Sequence, residues 1–345
     1  MAEIYATAGE CRELYTLMDQ IKELAPWNWM EEVDVFGVQN PDTGELGFVS
    51  VMGMAGEHFA IAVYLGARGL YGFWGFQEKG PKMRPEDLLE IPQLQASLED
   101  RNELRKEDRD IIKALGLKYR GQKAWPLFRS YRPGCYPWFV DAAEVHFLEY
   151  ALEQTLDVAP RFKADPALLS PERDDLYLVR TPRREGENIV WSDMYTAVSP
   201  PPPPEIQIVM DTNLLQAARK MPKGRHRLEA DFYMMPTLIR EKGERPYFPY
   251  MLMLVEARSG FVLGSDLLQP LPSLEEMWGQ LPLRSLRQIA MLGAVPAEIH
   301  VRSEVLFHML QRLGEELGFK LKRTRRLPAL DSVRRELESF AGLGF

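Results

Sequence analysis

The chain has 345 residues, 46% of them hydrophobic and 27% charged, with a net charge of −8. That length supports two domains with separate cores, and the composition is that of an ordinary globular protein. It excludes a membrane span, since no run approaches roughly 18–20 apolar residues, and two distant cysteines, Cys11 and Cys135, exclude a disulfide framework.

No basic segment followed by an apolar stretch opens the sequence, so a cytoplasmic location is expected. Charge is unevenly spread. Residues 1–204 carry 22 Lys+Arg against 33 Asp+Glu (−11), and residues 205–345 carry 20 against 17 (+3). An acidic front and a mildly basic back fit two domains with different surfaces. An excess of +3 is too small to mark a dedicated nucleic-acid domain.

Residues 8–24 form an amphipathic helix by spacing, with Leu14, Leu17, Met18, Ile21 and Leu24 on one face, ended by Pro26. Trp27 and Trp29 read as packing anchors at that corner. Residues 33–39, 46–54 and 58–65 are expected strands of an antiparallel meander, with PDTGE as the first hairpin turn. Gly66, Gly69, Gly72 and Gly75 recur every three residues. They lack the P-loop Lys-Ser/Thr and the G-x-G-x-x-G spacing, and so point to close backbone packing instead of phosphate binding.

A strand over 93–104 and a short helix over 106–115 follow, and Trp125–Phe139 crowds aromatics with prolines. Asp141 with Glu144 makes a capping box for the next helix. Inside it, His146 and Glu149 are three apart, but a metal site needs a second ligand pair, and His146 reads as a helix-surface residue. Cys135 has no base beside it in sequence and does not qualify as a nucleophile. Residues 175–181 and 188–196 are expected to form a hairpin around PRREGE. Five prolines, Pro200–Pro204, then make a stiff segment without backbone donors, which reads as a spacer. The expected organisation is an α+β domain with an antiparallel sheet at 1–198, a polyproline linker at 199–204 and an α/β domain with a mixed sheet at 205–345.

In the last third, Asp211 caps a short helix. Strands are expected at 228–235, 247–256 and 261–268. A helical region over 274–292, interrupted by Pro282, leads to a strand at 298–301. A helix over 303–317 with Ser303 as N-cap, a strand over FKLKRT and a closing helix over 330–340 complete the chain. This βββαβαβα order, with the EARSG turn and the VPAEIHVRSEVLFHMLQRLGEELGFKLK unit, resembles the RNase H-like fold of integrase and transposase cores. The whole chain, through APWNWMEEVDVFGVQNPDTGELGFVSVMG, AIAVYLGARGLYGF and this C-terminal core, resembles an uncharacterised bacterial family with two domains of unknown function.

The RNase H-like resemblance implies three metal-binding acids: mid-strand one, just after strand four and on a late helix. Asp231 matches the first. Arg302-Ser303 stands where the second acid belongs, and a guanidinium repels a divalent cation. Asp331 lies on the late helix, and Asp266 or Glu256 is a substitute only if strand alternation turns it to the same face. The reading preferred is a non-enzymatic binding or scaffolding protein with an inactive RNase H-like domain, no cofactor and a protein partner. The first alternative is a nuclease or phosphoryl-transfer enzyme using Asp231, Asp266 and Asp331 with a divalent metal such as Mg. The second is a nucleic-acid binder using two basic runs: Lys220, Lys223, Arg225 and Arg227, and Lys322, Arg323, Arg325 and Arg326.

Overall fold

The structure is a computed structural model describing residues 5–80, 88–186, 188–241 and 243–340. The chain divides into two compact units, residues 1–202 with 242–245, and residues 203–241 with 246–345. The first has a mostly antiparallel sheet and the second a mixed one.

The first unit runs α1 (Arg12–Leu24), β1 (Phe36–Gln39), β2 (Leu46–Met52), β3 (Phe59–Leu65), α2 (Gly66–Lys79), β4 (Gln93–Glu99), α3 (Lys106–Ala114), β5 (Trp125–Tyr131), α4 (Ala142–Ala164), β6 (Leu176–Glu185) and β7 (Asn188–Ala197). The sheet order is β5-β4-β3-β2-β1-β6-β7. Among the described residues, only the β1–β6 pair of this sheet is parallel. Strands β2 and β3 are buried along their middles because both faces are covered. Val49, Val51, Ile61 and Val63 join one core with α1 and α4, while Phe48, Ala62 and Tyr64 join another with α2. This alternation is the two-residue period of a strand packed on both sides.

The expected meander is present as β1, β2 and β3. The glycine run is helix α2, and a Cβ on Gly69 would lie 2.7 Å from the Tyr64 carbonyl carbon, so this helix meets backbone at close range. Asp141 and Glu144 form the reciprocal capping box, with N–H to carboxylate distances of 2.9 and 3.0 Å.

Three expectations need correction, and one strand had no expectation. The first helix begins at Arg12, because Thr7 to Glu10 is tied into a side-chain-bonded turn. The strand expected over 93–104 stops at Glu99, and 101–103 turn. The β6–β7 ladder extends through PRRE to a tight turn after Glu185. Part of the aromatic–proline stretch is strand β5, whose Pro126 is tolerated because β5 is an edge.

The second unit runs α5 (Thr212–Arg219), β8 (Arg227–Met234), β9 (Tyr250–Glu256), β10 (Val262–Leu268), α6 (Leu274–Gly279), α7 (Leu281–Leu292), β11 (Glu298–Val301), α8 (Glu304–Leu317), β12 (Lys320–Arg323) and α9 (Pro328–Phe340). The sheet order is β10-β9-β8-β11-β12. Strands β8, β9 and β10 pair antiparallel, and β11 runs parallel to both β8 and β12. Local signals account for the helix ends. The Asp211 carboxylate accepts the N–H groups of Asn213 and Leu214, Ser303 accepts that of Leu306, and Gly318 closes α8 in the left-handed region at φ 71°.

Strand β8 divides its side chains by parity. Leu228, Ala230 and Phe232 enter the larger core with the helices between α5 and α8. Glu229 and Asp231 therefore point to the opposite face. There Met253 and Val255 pack against Leu327 and Leu330 at the start of α9.

Candidate functional site

The side of β8 that faces α9 carries Glu229, Asp231 and Tyr233, and each engages that helix or its clamp. Glu229 is buried, and its Oε2 accepts the N–H groups of Ala329 (2.9 Å) and Leu330 (3.0 Å), capping the first turn of α9. Arg334 stands over the Tyr233 ring at 4.2 Å. Between them lies Asp231, 3% exposed.

Arg302 leaves the C-terminal end of β11 and reaches across Asp231. Its Nε and Nη2 donate to Asp231 Oδ2 at 2.8 and 2.5 Å, and its Nη1 donates to Asp331 Oδ1 at 2.9 Å. Asp231 also accepts the backbone N–H groups of Phe232 and Ser303. Burial pushes the Asp231 carboxyl above its usual range, against the opposing pull of Arg302. Burial pulls Arg302 down, but Asp231 and Asp331 raise it further. The result is a guanidinium bonded to two of the three expected metal-binding acids, Asp231 and Asp331.

Asp266 takes no part in this cluster. In the ladder it lies opposite Leu252, whereas Asp231 lies opposite Met253. Leu252 belongs to the core on the α5–α8 face and Met253 to the core under α9. The two aspartates therefore project from opposite faces of the sheet. Asp266 instead accepts from Gln288 Nε2 at 2.5 Å and lies 3.6 Å from Arg284. Glu256 is occupied too, accepting Ser259 Oγ and the N–H groups of Ser259 and Arg258 in the β9–β10 turn. Among the described residues, no three His, Cys, Asp or Glu side chains gather as a metal ion requires.

Arg227 starts β8 and pairs in register with Glu298 at the start of β11, whereas Arg323 ends β12 opposite Val301. The parallel strands thus hold Arg227 and Arg323 at levels roughly 10 Å apart along the sheet, while Lys320 lies level with Arg227 through Glu298. Lys322 bonds Glu298 at 3.0 Å, Arg323 bonds Glu304 at 3.0 Å, and Lys223 donates to the Leu317 carbonyl. Lys220, Arg225, Arg325 and Arg326 are exposed.

In the first unit, His146 is exposed on α4. Burial raises the Cys11 thiol to about 11, with Glu10 and Glu149 adding to it, and Cys135 is also buried. Glu149, half-buried on α4, is pushed up to about 7 by burial first, then by Glu13 and Glu153. The folded state thus holds a proton that the unfolded chain releases above its ordinary value of 4.5. The stability this proton contributes is complete below about pH 4.5 and lost as pH rises through about 7. Glu149→Gln is expected to stabilise the first unit by about 1 kcal/mol at pH 8, the solvent-screened magnitude, and by nothing at pH 4. Urea denaturation at the two pH values checks the difference.

Sequence reasoning missed Glu229, whose burial depends on a helix about a hundred residues later. The period-two pattern E-A-D-F-Y was the available signal, since it places Glu229, Asp231 and Tyr233 together.

The similarities of the chain match this two-unit architecture. Residues 12–180 match the family model described as Domain of unknown function (DUF7309), and residues 214–338 match Domain of unknown function (DUF6930). The chain thus carries two adjacent domains of unknown function. No curated protein matches it. Among the described residues, no helix is long and apolar enough to cross a membrane.

Proposed function

We propose that the second unit is a catalytically inactive RNase H-like core, and that the protein is a non-enzymatic binding or scaffolding protein of the bacterial cytoplasm that engages a protein partner. The strand order third-second-first-fourth-fifth, antiparallel through the first three and parallel thereafter, supports the RNase H-like reading. The observation that carries the loss of catalysis is Arg302, bonded to Asp231 and Asp331 at once. Two-metal phosphoryl transfer needs converging carboxylates open to cations. Here the chain's own cation holds both acids, and an incoming divalent ion meets like charge. The sheet also turns Asp266 away, which removes the third acid of the nuclease alternative.

The test is calorimetric titration of the full chain with Mn²⁺, together with cleavage assays on DNA and RNA in Mg²⁺ or Mn²⁺. No saturable heat and no cleavage are expected. Stoichiometric Mn²⁺ binding that disappears in Asp231→Asn, accompanied by metal-dependent cleavage, would overturn the reading. Affinity capture with and without nuclease treatment then identifies the partner class, since a protein partner survives the treatment and a nucleic-acid bridge does not.

A further inference from the structure

The first unit contains a cleft of about 740 Å³ bounded by Val33 and Val35 just before β1, by α2, by the start of β6 and by the segment 169–175. Its walls include Val33, Tyr71, Trp74 and Tyr177, and its rim carries Glu78, Arg173, Asp174 and Asp175. The polar ends of the aromatic side chains are already engaged. Trp74 Nε1 donates to the Tyr177 hydroxyl at 2.8 Å, and the Tyr71 hydroxyl donates to the Val198 carbonyl at 2.8 Å. What Tyr71 and Trp74 offer a ligand is therefore ring surface, not a donor. Val33, 46% exposed, adds apolar surface at the mouth.

The rim supplies a sign of charge. Arg173 is spent on Asp175, with Nε 2.9 Å from Oδ1. Glu78 and Asp174 are exposed and make no ion pair among the described residues. Among the described residues, these two carboxylates are left without an ion-pair partner beside electron-rich rings. Burial first raises the Tyr177 phenol, against the opposing bond from Trp74, and Tyr71, Asp174 and Asp175 add to the rise. Aromatic faces and carboxylates attract the same ligand class, a cation with apolar substituents. An anion would meet repulsion from the rim, and a neutral apolar ligand would leave the two carboxylates unused.

We infer that this cleft binds an organic cation, an ammonium group bearing methyl or alkyl substituents, against Trp74 and Tyr71 with Glu78 and Asp174 balancing its charge. The inference does not depend on the reading of the second unit.

The probe is choline, compared with its neutral isostere 3,3-dimethyl-1-butanol, titrated into the full chain with ¹⁵N-labelled tryptophan. The Trp74 indole signal is identified by its loss in Trp74→Phe. Choline is expected to shift that signal saturably, and the isostere to bind about tenfold more weakly. The variant Glu78→Gln/Asp174→Asn, at two exposed positions where folding is not at stake, is expected to weaken choline about fivefold or more with an unchanged melting temperature. The inference is overturned by any of three results. These are no saturable shift up to about 20 mM choline, equal affinity for the neutral isostere, or choline binding undiminished in the double variant.

Discussion

Arg302→Ala is expected to destabilise the second unit by about 2–3 kcal/mol at pH 7, since it leaves the buried Asp231 carboxylate without its partly exposed partner. Asp231 is 3% exposed, and two of the bonds that satisfy it come from Arg302. The same substitution releases Asp331 and so loosens α9. The loss should depend on pH with a defined sign. Burial already raises the Asp231 carboxyl, and removing the opposing guanidinium raises it further. A carboxyl raised in the folded state favours folding below its unfolded pKa, and that contribution disappears as pH rises through the folded value. The variant should therefore be closer to wild type at pH 4 than at pH 7. Guanidinium denaturation at both values, with amide exchange at β8 and β9 to localise the change, measures it. The pair Asp231→Asn/Arg302→Met should recover much of the loss, because no unpaired charge remains. A single Arg302→Ala loss below about 1 kcal/mol would mean that the clamp is no more than a surface ion pair.

The second large effect is expected in the first unit. Asp108 on α3 is 5% exposed and Arg129 on β5 is 8% exposed. They meet fork to fork, Nη1 to Oδ1 at 2.9 Å and Nη2 to Oδ2 at 2.7 Å. Arg129 also lies over the Phe139 ring at 4.8 Å, and Asp108 accepts the Arg105 N–H. Asp108→Ala strands a desolvated guanidinium on an edge strand and removes the tie that holds α3 to it. A loss of about 3–5 kcal/mol is expected. Arg129→Met alone should cost a comparable amount through the abandoned carboxylate, while Asp108→Ala/Arg129→Met should cost clearly less than the sum. Thermal denaturation of the three variants closes the cycle, and additive losses would show that the two side chains act independently.

The features legible in the sequence were those carried by neighbours in the chain. The capping box at Asp141 and Glu144, the Asp211 and Ser303 caps and the break at Pro282 each need only a few residues to act, and each is visible as a local pattern. The meander was legible because its turns are short. Strand β5 was not, since Pro126 and the surrounding aromatics mask an edge strand whose ladder to β4 comes from residues about thirty positions earlier. The parallel β1–β6 contact joins segments about 140 residues apart and leaves no local trace. For the candidate site, Asp231 and the unusual Arg302 were legible as residue types at expected positions. Their bond was not, nor was the fate of Asp266. That aspartate's face is decided by the β9–β10 register, which shifts between Val262 and Gly264. A one-residue difference there reverses the side to which every following side chain points.

The docking of α9 bears on where this protein can be cut. Helix α9 covers Met253 and Val255, satisfies Glu229 and supplies the second partner of Arg302. A fragment ending before Pro328 would present to water an apolar strip on the middle strands, flanked by a carboxylate that has lost both its donors. Such a face is adhesive, and the fragment would be recovered as aggregate, whereas cuts in the exposed β9–β10 turn at Arg258–Ser259 would leave the strip covered. The last helix is therefore the lid on the sheet's second core, and limited proteolysis should find it protected until the sheet itself opens.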